Sequence, residues 1–414
     1  MRRIAVVGAG QVGLHLGIGL ARRGYEVRML SNRTGEQIRN GSVLSSQAMM
    51  APTLDLERAE GLEMWELTAP HINGIHLTWL DDNGQEVTHF SARRARPALS
   101  VDQRVKMPVW MEIFEQSGGT LEIVDADAQT LEKLTENSEL VVVASGKGDI
   151  SALFEVDTGR VEFTKPQRHL TLAYLNGVEP HAMFEGNDFG KHDGIGEMFM
   201  FPAMTVTGPC HIITIEAVPG SALDVFQPGQ SADELVAQIK DVAGDAFPWL
   251  ASRLKSARPT DLQATLVGRF APTPRNPVAQ LSNGASVLGA GDVVTLNDPL
   301  TGQGSNNAAR CAASYLASII ENGDAPFTPK WMRQTASRFI AATESSALWT
   351  NATLRPWPEH VRELLSRAAY EPRLAQLFVE GFADPNSAWA WWRDPREAAA
   401  LAMNTVTAKS DRRR

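Results

Sequence analysis

Over the first 150 residues, short apolar runs alternate with amphipathic stretches, and glycines stand at the junctions. Arg3–Val7 is a β-branched run of the length of a buried strand. Apolar positions then recur at helical spacing over 14–23 and stop at Gly24, which predicts a helix. A second strand is predicted over 26–30. Strand, helix and strand in so short a span is a βαβ opening, and it predicts an α/β fold with a parallel sheet. Helical periodicity returns over 103–117, closed by Gly118-Gly119, and strands are predicted over 120–124 and 140–144. Elsewhere the pattern alternates. The runs 72–80 and 86–91 flank Asp81-Asp82-Asn83-Gly84, a hairpin turn, and strand-like runs cover 168–175, 197–201 and 211–217. These predict a second, mostly antiparallel sheet. Segments 231–239 and 249–256 read as helices. A strand at 286–288 and a helix at 306–322 return to the first pattern, and beyond 327 the chain is predicted to be helical.

The junction glycines carry the first chemistry. Gly8-Ala9-Gly10-Gln11-Val12-Gly13 stands between the first strand and the first helix. Gly8 permits the tight turn, Gly10 lets backbone approach a pyrophosphate, and Gly13 lets the helix pack close to the sheet; the helix N-terminus, with Gln11 and Val12, faces the phosphates. The acid that usually binds a ribose at the end of the second strand is missing. Ser31-Asn32-Arg33 stands there, leaving Asn32 as a weaker acceptor and Arg33 beside it. The fingerprint alone does not separate NAD from FAD. A second constellation does: the strand at 286–288 runs into Gly289-Ala290-Gly291-Asp292, then Asp298-Pro299, Gly302-Gln303-Gly304 and Asn306-Asn307 at a second helix start. Two anion-binding ends in one chain suit a dinucleotide as long as FAD. Alone, Asp292 also has a lesser reading as a helix or turn cap.

These motifs, with Ser145-Gly146-Lys147, Lys165-Pro166-Gln167-Arg168 and Trp349-Thr350-Asn351, resemble the FAD subunits of styrene and indole monooxygenases over nearly the whole chain. The resemblance implies the para-hydroxybenzoate hydroxylase class. A Rossmann-like FAD-binding domain would be built from 1–67, 99–155 and 266–326, with an inserted, mostly antiparallel β substrate domain at 68–98 and 156–265 and a helical region at 327–414. It implies that Asp292 holds the ribityl chain, that Pro299 to Gly304, with Gly302 and Gln303, line the flavin ring, that Arg104 reaches the phosphates or ribityl, and that Gly146, Gly291 and Asn306 also bind the cofactor. It also implies a diffusible NADH-dependent flavin reductase supplying FADH2, O2 as co-substrate, and a flavin C4a-hydroperoxide that epoxidises a small aromatic alkene. No side-chain acid, base or nucleophile is then required.

Ser45, Gln47 and Met49 alternate and share one face if extended. With Ile72, Ile75 and Ala98 they resemble the pocket of the indole subgroup, which implies indole, oxidised at C2=C3, as substrate. An apolar wall with one acceptor suits a flat bicycle bearing one N–H; without the resemblance, Met49, Ile72 and Ile75 read as plain core.

Composition narrows this further. Net charge is −9, which argues against nucleic acid, and the basic end at 411–414 is too short to change that. No apolar run reaches transmembrane length, and the opening run is interrupted by glycines too early for a signal peptide, so a cytoplasmic enzyme is expected. Two distant cysteines fit a reducing compartment, and nine scattered histidines form no metal-ligand pair. The late tryptophans read as helix packing, with a homodimer contact left open. A styrene-preferring epoxidase, an NAD(P)H-dependent flavin oxidoreductase without oxygen transfer, and a non-catalytic flavin carrier remain as alternatives.

Overall fold

The computed structural model describes residues 1–146 and 148–410, the side chains of 404–410 excepted; Lys147 and the basic tail at 411–414 lie outside the described residues. Two sheets organise the chain. The smaller has six strands in the order Val278–Gln280, Ser286–Gly289, Leu140–Val143, Arg3–Val7, Glu26–Ser31 and Thr120–Ile123. All pairings are parallel except that of the edge strand Val278–Gln280. Arg3–Val7 is buried along all but its first residue, as an inner parallel strand covered on both faces should be. Helix Gln11–Ala21 is buried at every position after Gln11, being pressed between this sheet and helices Gln103–Gln116 and Gln303–Asn322.

The larger sheet has eight strands and is mostly antiparallel. His71–Leu80 and Glu86–Leu99 form the expected hairpin, and the sheet continues through Asn187–His192, Gly196–Thr205, Gly208–Ala217 and His169–Asn176. Thr265–Arg269 also pairs with His169–Asn176, so the chain leaves this sheet after 269 rather than at 266. The outer face, with Met198, Met200, Ile213 and Ile215, packs against helices Ala232–Ala246 and Pro248–Leu254. The inner face, with Trp79, Phe90, Phe189 and Phe199, packs against the C-terminal helices.

Four of those helices begin at a proline, Pro329, Pro372, Pro385 and Pro395, and the helix Glu359–Ala368 follows Pro358. Proline is favoured in the first turn, where its missing N–H costs nothing. Trp349, Trp357, Trp391 and Trp392 are buried among them and meet edge to face or tilted. No helix among the described residues is long and apolar enough to cross a membrane.

Candidate active site at the glycine-lined sheet edge

Strands Arg3–Val7, Leu140–Val143 and Ser286–Gly289 are adjacent and parallel or nearly so in register, so their C-terminal ends open at one edge. Ligands bind at this edge in open α/β sheets. The ladder runs on past the strands: Ala144 N–H donates to Val7 O at 2.8 Å, and Ala290 N–H to Val143 O at 2.8 Å. Gly8 takes a φ of +111°, and a Cβ there would lie 2.9 Å from the Ala144 carbonyl. A Cβ on Gly13 would lie 1.9 Å from Gly8 O. A Cβ on Gly146 would lie 2.7 Å from the Asp292 Cβ, and one on Gly291 2.7 Å from Val12. The three glycine segments therefore meet closely, Gly8 against the Ala144 backbone, Gly146 against the Asp292 side chain and Gly291 against that of Val12. Gly10, Gly302 and Gly304 differ: a Cβ on any of them would meet no protein atom within 4 Å. They bound open space beside the first turns of helices Gln11–Ala21 and Gln303–Asn322. Two helix N-termini and bare backbone around one space fit the two ends of a flavin dinucleotide.

The other cofactor candidates fall into two groups. Gly302 is in the left-handed region at φ +64° and caps helix Gln303–Asn322, which starts three residues earlier than the predicted 306. Asn306 is buried; its Nδ2 donates to Ala48 O and Gly302 O at 2.8 Å each, and its Oδ1 accepts from Met50 N–H at 2.9 Å. It thereby ties the glycine loop to segment 45–50. Gln303 Nε2 donates to Phe382 O at 2.9 Å, and Thr301 shares a hydroxyl hydrogen bond with Thr350 of the Trp349-Thr350-Asn351 motif. These side chains brace the loop, and its backbone is what remains to face a ligand. Gln11 donates to Glu57, which also pairs with Lys106 at 2.6 Å. Asn32 is exposed at the end of its strand, with Arg33 half-buried beside it.

Arg104 requires a correction. It is 1% exposed, and its guanidinium is held by Asp102 at 2.8 Å, by Asp261 at 2.9 and 3.0 Å, and by the Thr205 hydroxyl at 3.1 Å. Two carboxylates already neutralise it, so its donors are spent inside the protein and not on a phosphate.

Segment 45–50 alternates as expected, but the faces are exchanged. Ser46, Ala48 and Met50 line a cavity with Ile72, Arg94, Asn187, Phe199, Phe201, Thr214, Glu216, Phe382 and loop Pro299–Gly302. Ser45, Gln47 and Met49 face away. Ser45 Oγ donates to Gln47 Oε1 at 2.6 Å and accepts from Gln103 at 3.0 Å, while Gln47 Nε2 donates to Val101 O. Met49 packs with Leu54, Leu99, Val101 and Ala309. The isolated bridge between Met49 and Leu99 fixes this register. Of the six predicted pocket residues, Ile72 lines the cavity, kept there by a register shift between Ile72 and Gly74; Ile75 and Ala98 are core beneath the inner face.

The cavity's sheet wall comes from paired strands: Thr214 lies opposite Phe199, Glu216 opposite Glu197, and Ile212 opposite Phe201. Below it is a charged cluster. Arg168 grips Glu197 at 2.7 and 3.1 Å and also donates to Leu354 O at 3.4 Å, so the Lys165-Pro166-Gln167-Arg168 motif anchors the C-terminal helices to the sheet. Burial raises both Glu216 and Asp298, Asp298 to about 6 and Glu216 well above the carboxylate range, and the two share a hydrogen bond. Acids raised by folding hold protons that the unfolded chain releases first. Their stabilisation is complete below about pH 4 and fades as pH rises through 6 and beyond. Thermal unfolding between pH 5 and 8 should show this decline in the wild type, and Glu216→Gln, which removes the shared proton, should flatten it. An unchanged slope in the variant would place the decline elsewhere.

The family profile described as "Styrene monooxygenase A putative substrate binding domain" matches residues 146–253. The styrene monooxygenase StyA of Pseudomonas fluorescens is 28% identical over 406 residues, 95% of this chain and 96% of that protein, and StyA of a Pseudomonas species matches to the same extent. Among solved structures, p-nitrophenol 4-monooxygenase PnpA of Pseudomonas putida superposes with a TM-score of 0.62 at 14% identity, over 94% of this chain and 98% of that one. The flavin-dependent brominase Bmp2 does so at 0.59 and 14%, over 99% of each chain. The architecture is therefore that of the para-hydroxybenzoate hydroxylase class of flavin monooxygenases, with its parallel and antiparallel sheets and helical C-terminal part. With the glycine-lined edge, the cavity beside it and a likeness that spans both, the chain is similar over nearly its whole length to the styrene monooxygenases and has the fold of flavin-dependent monooxygenases.

Proposed function

We propose that this chain epoxidises an aromatic alkene, with indole at its C2=C3 bond as the preferred substrate, using O2 and FADH2 brought by a separate NADH-dependent reductase in a reducing cytoplasm. One observation carries the reading: the cavity and the glycine edge share a wall, Pro299–Gly302. Reduced flavin supplies the activated oxygen. The chain's own residues hold the cofactor and the substrate and keep water out. Gly8, Gly10, Gly13, Gly146, Gly291 and Asp292 are the proposed cradle, and the backbone of Gly302 to Gly304 is the proposed support for the ring. Ile72, Phe199, Phe201 and Phe382 supply the apolar walls. Indole is supported by buried oxygens on the same walls that lack a partner within the protein, Asn187 Oδ1, Thr214 Oγ1 and Glu216 Oε2, any of which can accept its N–H. The two buried cysteines, both free thiols, fit the compartment.

The relatives' names favour styrene as a second reading, with the same machinery. Turnover separates the readings. The purified chain with FAD, a generic flavin reductase, NADH and O2 is offered indole and styrene in turn. A higher kcat/KM for indole, with indigo formed on standing in air, supports the reading. Preference for styrene keeps the reaction and moves the substrate. Peroxide alone from both, or NADH oxidation by the chain without reductase, points to the oxidoreductase alternative.

A further inference from the structure

Arg94 lines the cavity and is 9% exposed. Among the described residues its guanidinium donates one hydrogen bond, to Val379 O at 3.1 Å, and its buried Nε has no partner. No carboxylate lies within ion-pairing distance of it; Glu380, the nearest acid acting on it, has Oε1 taken by Ala95 N–H and Gln376. Burial pushes Arg94 down to about 10, which leaves it cationic at neutral pH. The other buried cations among the described residues are treated differently: Arg104, Arg168, Lys106, Lys191 and Arg253 each pair with a carboxylate. A buried, unpaired guanidinium costs several kcal/mol and is normally paired. Glu216, the acid on the same walls, makes no ion pair with Arg94 and shares its hydrogen bond with Asp298 instead.

We infer that the cavity carries an anion subsite at Arg94, and that an aromatic alkene bearing a carboxylate binds there more tightly than its neutral parent, indole or styrene. This rests on the epoxidase reading and sharpens it. The ring lies among Phe199, Phe201, Phe382 and Ile72, the carboxylate meets Arg94, and an N–H where present meets Asn187, Thr214 or Glu216. The guanidinium fork matches a carboxylate in shape as well as charge. The Phe382 ring centre lies 5.8 Å from the Arg94 guanidinium carbon, within cation–π range.

The test uses the FAD-loaded chain and two matched pairs: styrene with 4-vinylbenzoate, and indole with one indole carboxylate. Calorimetric binding is measured for all four, and turnover with reductase and NADH. The acids should bind about ten-fold or more tightly than their neutral parents, with KM lower by a similar factor. Arg94→Gln should erase the acid's advantage, and Arg94→Lys should keep part of it. Neutral parents oxidised as well as or better than the acids, with no tighter binding of the acids, overturns the inference and leaves the epoxidase reading standing. Tight, Arg94-dependent binding of the acids with no oxygenated product from any of the four keeps the subsite and overturns the epoxidase reading. If Arg94→Gln does not fold, the wild-type comparison and Arg94→Lys decide.

Discussion

Gly10→Val should leave the chain folded and take away its flavin. Gly10 sits just before helix Gln11–Ala21 with φ −99° and ψ −166°, a conformation open to any L-residue. A Cβ there meets no protein atom within 4 Å, so folding does not oppose the substitution. The valine would fill the space over the helix N-terminus, where a pyrophosphate needs bare backbone. FAD affinity should fall about a hundred-fold or more, a loss of about 3 kcal/mol, while the apoprotein melts within a few degrees of the wild type. Gly13→Val is the contrasting control. Its Cβ would stand 1.9 Å from Gly8 O, inside the contact distance of two backbone segments that cannot separate without opening the sheet edge. That variant should lose stability and flavin together. Undiminished FAD binding by a folded Gly10→Val protein would place the flavin elsewhere.

The contrast between these glycines explains what was legible in the sequence. The βαβ opening, the hairpin around Asp81–Gly84, the helix at 103 and the glycine segments are each set by residues close in sequence, and each formed as read. The meeting of Gly8, Gly146 and Gly291 needed only the rule that parallel strands open at one edge. The cavity was harder. Its walls combine segment 45–50 with strands at 187, 199 and 214 and with a C-terminal helix, and no local pattern states which of two alternating faces a short extended segment turns inward. The Met49 to Leu99 bridge settles that, and it is a contact across 50 residues of sequence. One signal was available: Glu197, Phe199 and Phe201 alternate with Met198 and Met200, so a buried strand face carries both a charge and aromatic rings. A charge on such a face marks a paired cluster or a site. Arg104 misled for the opposite reason. Its type suits a phosphate, but Asp102 two residues earlier and Asp261 far along the chain claim it first.

The exchange of faces in segment 45–50 leads to the second large effect. Ala48→Phe should abolish oxygenation of aromatic substrates while FAD still binds. Ala48 lines the cavity opposite Phe199 and Phe201, and its carbonyl, which the substitution keeps, accepts from Asn306. A phenyl group placed there competes for the volume an aromatic substrate needs, and a packed wall yields little to it. Product formation should fall by about two orders of magnitude, with NADH consumption persisting as peroxide release. Gln47→Met, one residue away, should behave in the reverse manner. It strands Val101 O and removes the acceptor of the Ser45 hydroxyl, which keeps its bond from Gln103, and should cost about 1–3 kcal/mol of stability with the ratio of indole to styrene turnover unchanged. Stability by thermal denaturation and product by chromatography read the two variants side by side. If Gln47→Met shifts the substrate ratio and Ala48→Phe does not, the substrate lies on the face of Ser45, Gln47 and Met49 after all; the opposite result fixes it between Ala48 and the aromatic strands.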